Sequence, residues 1–152
     1  MEIRHEYTVN VPRDTVIATL MSRKLMAARL AKGGVKEFEF SGDESNALTR
    51  AKVPTNVLPA AIRKLVPSGA SATVNLTKHA NTVTYKATAT GVPATLTVSF
   101  AVTGDAVAHV SALGSLNIHV PLVGRALEKK ASTYVDTILD RDAALVTEVA
   151  SR

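Results

Sequence analysis

Residues 121–150, PLVGRALEKKASTYVDTILDRDAALVTEVA, decide the fold. Pro121 suits the first position of a helix, where the fixed φ is already helical and the missing N–H would have no partner in any case. Behind it apolar residues recur at helical spacing: Val123, Leu127, Ala131, Tyr134, Ile138, Leu145 and Val149. An unbroken helix of roughly 30 residues is about 45 Å long and needs a long surface to lie on. Arg125, Glu128, Lys129, Asp136 and Asp140 fall on or beside the opposite, wet face. Asp142 is the exception, projecting near the middle of the apolar arc. The simplest expectation is that the helix bends, frays or leaves the core near Arg141; a functional carboxylate is the other reading.

The surface for this helix is written upstream. Ile3, His5, Tyr7, Val9 and Val11 alternate with Glu2, Arg4, Glu6, Thr8 and Asn10, the mark of a half-buried strand that ends at Pro12. Asp14 or Thr15 can cap the helical stretch that follows, from Val16 to Leu30, and Ser22 can divide it into two short helices before Gly33 and Gly34 stop it. Val35–Ser41 and Ala47–Val53 read as paired strands around a turn at Gly42 and Asp43, and Ala60–Val66 as a short helix. From Ala70 onward three strands alternate apolar residues with threonine, separated by Ala80-Asn81, Gly91-Val92-Pro93 and Gly104-Asp105, and a last strand runs from about Ala106 to Val120 with a bend at Gly114. Hairpin-length connections make the pairing antiparallel. The fold class is therefore α+β: about seven strands in a curved sheet gripping a long C-terminal helix, short helices after the first strand, a threonine face toward solvent, and one domain over residues 1–152.

Composition narrows the chemistry. The 152 residues include no cysteine, which excludes disulfides, thiolate catalysis and cysteine-held metals. The net charge of +5 is modest, but Arg13, Arg23, Lys24, Arg29 and Lys32 face only Asp14 within their segment. That basic stretch can lean transiently on an anionic membrane. Nucleic acid is not an expected partner, because no outward aromatic platform accompanies the charge. No apolar run reaches 18 residues and no signal-peptide layout opens the chain, so a cytoplasmic protein is expected.

The inner face is unusual in its small residues: Ala51, Ala72, Ala87, Ala89, Ala106, Ala108 and Ala112. Such a lining either lets helix and sheet pack closely or leaves a pocket between them. A pocket there would be lined by Tyr7, Val74, Tyr85, Leu96, Val98, Phe100, Val110, Leu116, Ile118, Leu127, Tyr134 and Ile138, with the tyrosine hydroxyls orienting a mostly apolar ligand and Arg63 and Lys64 facing an acidic end. His5 is the weak acid–base candidate, since it shares the inward face with Tyr7. His79, His109 and His119 form no ligand spacing with it, and no phosphate loop, dinucleotide fingerprint, calcium loop or nucleophile elbow is present. Neither a metal nor any other cofactor is expected.

The order of elements resembles the START-like or Bet v1-like helix-grip superfamily, which includes the polyketide cyclase-like proteins. Within it, Asn117-Ile118-His119-Val120-Pro121-Leu122-Val123-Gly124 followed by Glu128, and Tyr7 followed by Val11-Pro12, are similar to an uncharacterised actinobacterial family, domain of unknown function 2505. The resemblance implies a cavity for a lipid, sterol-like, polyketide-like or other small hydrophobic molecule, used for binding or carriage, for cyclisation or dehydration, or filled and replaced by an interaction surface. It brings no catalytic residues of its own.

Overall fold

The computed structural model describes residues 2–57, 63–64, 67, 69–119 and 124–152, with side chains in the last helix described at Lys129 and from Ala131 onward. Seven strands, β1 (Glu2–Val9), β2 (Phe38–Gly42), β3 (Asn46–Val53), β4 (Ala70–His79), β5 (Thr82–Ala89), β6 (Ala94–Gly104) and β7 (Ala108–Ile118), form one antiparallel sheet in the order β1-β7-β6-β5-β4-β3-β2. Helices α1 (Arg13–Leu20) and α2 (Arg23–Lys32) follow β1, and α3 (Gly124–Ala150) closes the chain. Of the expected helix at Ala60–Val66 only Arg63 and Lys64 are described, and the start of the last helix at Pro121 lies outside the described residues.

Local chemistry explains the joints. Pro12, rather than Asp14 or Thr15, is the N-cap of α1: its backbone is extended and its carbonyl accepts from the N–H groups of Thr15 and Val16. Ser22 caps α2 through its side chain, which accepts from Leu25 N–H at 3.2 Å and splits the helical stretch in two. The stop at the other end uses Gly34, whose φ of 80° belongs to the left-handed region, while Val35 N–H returns to the carbonyl of Leu30. Val35 is buried at the end of α2, and β2 begins only at Phe38. Ala106 likewise sits exposed in the β6–β7 turn instead of on the inner face.

The core fills the space between the central strands, α1, α2 and the last turns of α3, with Val9, Val16, Leu20, Leu25, Leu76, Val83, Val110 and Val146 sealed from solvent. Helix α3 runs across β7 and β1 and meets α1 and α2. Its buried stripe is Val135, Leu139, Asp142, Leu145, Val146 and Val149, turned about one residue from the arc expected from sequence. Tyr134 is consequently 50% exposed and Ile138 only partly covered. The helix neither breaks nor leaves the core at Arg141; it continues to Ala150 with Asp142 buried.

Gly114 makes this seating possible. A Cβ built there would lie 3.0 Å from Leu139 Cδ1 and 3.4 Å from Val135 Cγ1, so the missing side chain is the space into which α3 sinks. Gly114→Ala is expected to cost about 1 kcal/mol and Gly114→Val about 3 kcal/mol, the usual range for overpacking a tight contact. Urea unfolding of the two variants checks this, and equal stability would mean that α3 does not rest on β7 at this point.

Candidate functional site

Between the C-terminal end of α2, strands β5 and β6, and the middle of α3 lies a cavity of about 240 Å³. Tyr85, Leu96, Val98 and Phe100 form its sheet wall, and Tyr134, Ile138, Leu139 and Leu145 its helix wall. Register places them: Tyr85 is opposite Val98, and Leu96 is opposite Leu116 on the far side. All point inward by the two-residue period of a strand. Arg29, Lys32 and Gly33 close the α2 side, with Arg141 and Asp142 across from them.

The polar centre of the cavity is an ion pair that joins α2 to α3. Arg29 donates from Nε to Asp142 Oδ1 at 2.7 Å and from Nη2 to Oδ2 at 2.9 Å, with both side chains about nine-tenths buried. This fork-to-fork geometry is the strong form of a charge-assisted pair. The guanidinium carbon also lies 5.2 Å from the ring centre of Tyr85 and 5.4 Å from that of Phe100, so the aromatic wall supplies further stabilisation of the cation. Burial works against the charge on Arg29, but the Asp142 carboxylate outweighs it and holds the guanidinium above its already high ordinary pKa. Nη1 has no hydrogen-bond acceptor among the described residues and is not sealed from solvent.

Two phenols sit near this pair. Burial, reinforced by the Asp142 charge and opposed by Arg29, pushes the Tyr7 hydroxyl well above the usual phenol range. Burial does the same to Tyr85, with Arg29 opposing and Asp142 adding. The Tyr7 hydroxyl is enclosed without a hydrogen-bond partner among the described residues. Both phenols are therefore neutral donors across the whole physiological range.

Of the side chains that the sequence pointed inward, Tyr85, Leu96, Val98, Phe100, Tyr134 and Ile138 come together around the cavity. Val74 and Val110 are buried in the packed core, and Tyr7 and Leu116 pack against it. Ile118 is partly exposed at the end of β7, Arg63 and Lys64 are exposed, and the side chain of Leu127 lies outside the described residues. His5 is inward, as its strand parity requires, but it is not among the residues lining the cavity; its Nε2 meets Asp136 Oδ1 at 2.6 Å on the seam between β1 and α3. His109 is on the outer face, its Nδ1 3.1 Å from the Thr8 hydroxyl.

Arg29 and Asp142 were the residues sequence reasoning did not join. The signal was available: each is an opposite charge set within an otherwise apolar helical arc, Arg29 beside Leu25, Met26 and Leu30, and Asp142 beside Leu139, Leu145 and Val146.

The curved sheet gripping a long C-terminal helix gives the chain the helix-grip fold, the fold seen in START-like and Bet v1-like proteins. The chain belongs to the family described as protein of unknown function (DUF2505), whose model matches residues 4–149. Among solved structures it is similar to TTHA0849 from Thermus thermophilus, at 10% identity and a TM-score of 0.70 over 99% of this chain and 97% of that one. It is also similar to the Zhui aromatase/cyclase from a Streptomyces species, at 11% identity and a TM-score of 0.62 over 99% and 90% of the two chains. A START superfamily protein from Mycobacterium smegmatis matches at 9% identity and a TM-score of 0.60, covering 93% of each. No curated protein matches the chain in sequence.

Removing one partner of the buried pair leaves the other charge without compensation, so Arg29→Met is expected to cost about 3–5 kcal/mol in urea unfolding. The double variant Arg29→Met with Asp142→Leu should recover most of that loss, because two apolar side chains of similar size need no solvation. A double variant destabilised by the sum of the two single-variant losses would show that the pair is not coupled.

The phenols give a separate test with a defined sign. Their folded pKa values are raised, so the stability they contribute is complete below the unfolded value of about 10 and is lost as pH rises through the folded values. In a Tyr134→Phe background, phenolate absorbance should appear only together with unfolding above about pH 10. A phenolate signal from the still-folded variant would contradict the burial of Tyr7 and Tyr85.

Proposed function

We propose that this protein binds one small, predominantly apolar molecule, with an oxygen-bearing end, between the sheet and α3. The observation that carries the reading is the cavity itself: a mainly apolar pocket of about 240 Å³, open to solvent on one side, whose lining includes a buried arginine with no protein acceptor for Nη1 among the described residues. Ligand sites generally run from about 300 to 1,000 Å³, so this one fits a short chain or a single ring better than a sterol.

The enzyme alternative, a cyclase or dehydratase reaction in the same space, draws its support from the aromatase/cyclase among the similar structures. His5, the acid–base candidate for it, is engaged with Asp136 away from the cavity wall, which favours binding over turnover.

Native mass spectrometry of gently purified protein should reveal a co-purifying small molecule, and short-chain and single-ring compounds should raise the melting temperature. Ile138→Phe, which extends a ring into the cavity, should abolish that thermal shift while leaving the unliganded melting temperature within a few degrees. Absence of both a bound molecule and any thermal shift would reject the reading in favour of a protein whose role resides on its exterior.

A further inference from the structure

The charged groups around the cavity are arranged in two tiers. The inner tier is the Arg29–Asp142 pair, which is neutral as a unit and buried. The outer tier is Lys32, at the end of α2, and Arg141, on α3, both exposed and both lining the cavity. Neither has an ion-pair partner among the described residues. The lining therefore carries three cations and one carboxylate, and that carboxylate is committed to Arg29.

Each tier favours a different chemistry. At the inner end a second carboxylate would be buried close to Asp142, where like charges repel strongly because little water screens them. A carbonyl or hydroxyl oxygen brings no such repulsion and supplies the acceptor that Nη1 lacks; the Tyr85 phenol, a neutral donor, lines the same cavity. At the mouth, two exposed cations without partners favour an anion. The C-terminal end of α2 opposes this through its carbonyls, an opposition reduced where Gly33 and Val35 N–H engage the Leu30 carbonyl and Gly34 N–H engages that of Ala31.

Resting on the binding function proposed above, we infer that the ligand is a short amphipathic acid bound tail first. Its carboxylate stays at the mouth between Lys32 and Arg141, and a neutral carbonyl or hydroxyl oxygen at its far end accepts a hydrogen bond from Arg29 Nη1. The cavity thus reads both ends of one molecule, and its specificity lies in placing the charged oxygen outside and the uncharged one inside.

Isothermal titration with matched unbranched acids tests this. The probes are nonanoate, nonanoate carrying a ketone beside its terminal carbon, the methyl ester of that keto acid, and azelate, which has a carboxylate at each end. The keto acid should bind tightest. Nonanoate and azelate should be about tenfold weaker, the first for lack of the inner hydrogen bond and the second for the repulsion. The methyl ester should be about two- to tenfold weaker, the range for losing exposed charge contacts. Lys32→Ala with Arg141→Ala should erase the difference between keto acid and ester. Arg29→Met with Asp142→Leu should erase the preference for the ketone while leaving the preference for an outer carboxylate.

Azelate binding as tightly as the keto acid, or acid and ester binding alike to the unaltered protein, would overturn the inference. If the ester and the neutral probe cyclohexanol bind while no acid does, the two-tier reading fails and the cavity remains a binding site. If none of these compounds binds, both readings fall together.

Discussion

Helix α3 must lay one continuous stripe against β7 and β1, and the stripe that geometry selects contains a carboxylate. Asp142 is 9% exposed, a position where an unpaired charge would unfold the last turns of the helix or drive it off the sheet. Arg29 removes that conflict through two hydrogen bonds from α2, and the pair in turn binds α2 to α3 across the end of the sheet. The contact is thus both a condition for the helix to stay seated and a strut that sets the distance between the elements around the cavity. Because hydrophobic contact alone has little directional preference, a polar strut of this kind also restricts how α2 can slide over α3.

The seating of α3 explains why a cavity exists at all. Gly114 lets Val135 and Leu139 sink onto β7, which draws the helix toward the β1–β7 side of the sheet. On the other side, over β5 and β6, the same rotation carries Tyr134 outward and leaves Ile138 partly covered, so that the wall of Tyr85, Leu96, Val98 and Phe100 is not filled by helix side chains. Close packing and open space therefore coexist along one helix. The alternatives of a gripped helix and a lined pocket are two ends of one asymmetric arrangement. Arg29, stacked over Tyr85 and Phe100 and paired with Asp142, is where the two meet.

Much of this was legible in the residue order. Strand alternation located the seven-stranded antiparallel sheet and its inward faces, Ser22 marked the division between α1 and α2, and the glycine pair marked the end of α2, because these features depend on contacts within a few residues. Six of the cavity-lining side chains, Tyr85, Leu96, Val98, Phe100, Tyr134 and Ile138, followed from the same alternation and from helical spacing. The mouth residues Lys32 and Arg141 did not, since an exposed cation looks the same in sequence wherever the chain places it. Arg29 read as part of a basic surface segment because its charge was grouped with its basic neighbours in sequence rather than with the apolar arc of Leu25, Met26 and Leu30 in which it lies.

What the sequence by itself determined was periodicity: which residues share a face, where the chain turns, and hence a curved antiparallel wall with a long amphipathic helix to grip. What only the tertiary structure decided was rotation and separation. The approach of α2 turned Asp142 from an anomaly into the partner of Arg29, 113 positions away, and a shift of one residue in the buried stripe of α3 turned Tyr134 from an inward residue into a rim residue. Periodicity is a local property, imposed by backbone geometry at each element. The phase of a helix against a sheet is set by steric fit at points such as Gly114 and by charges that can be buried only together, and those are properties of contacts between segments far apart in the chain.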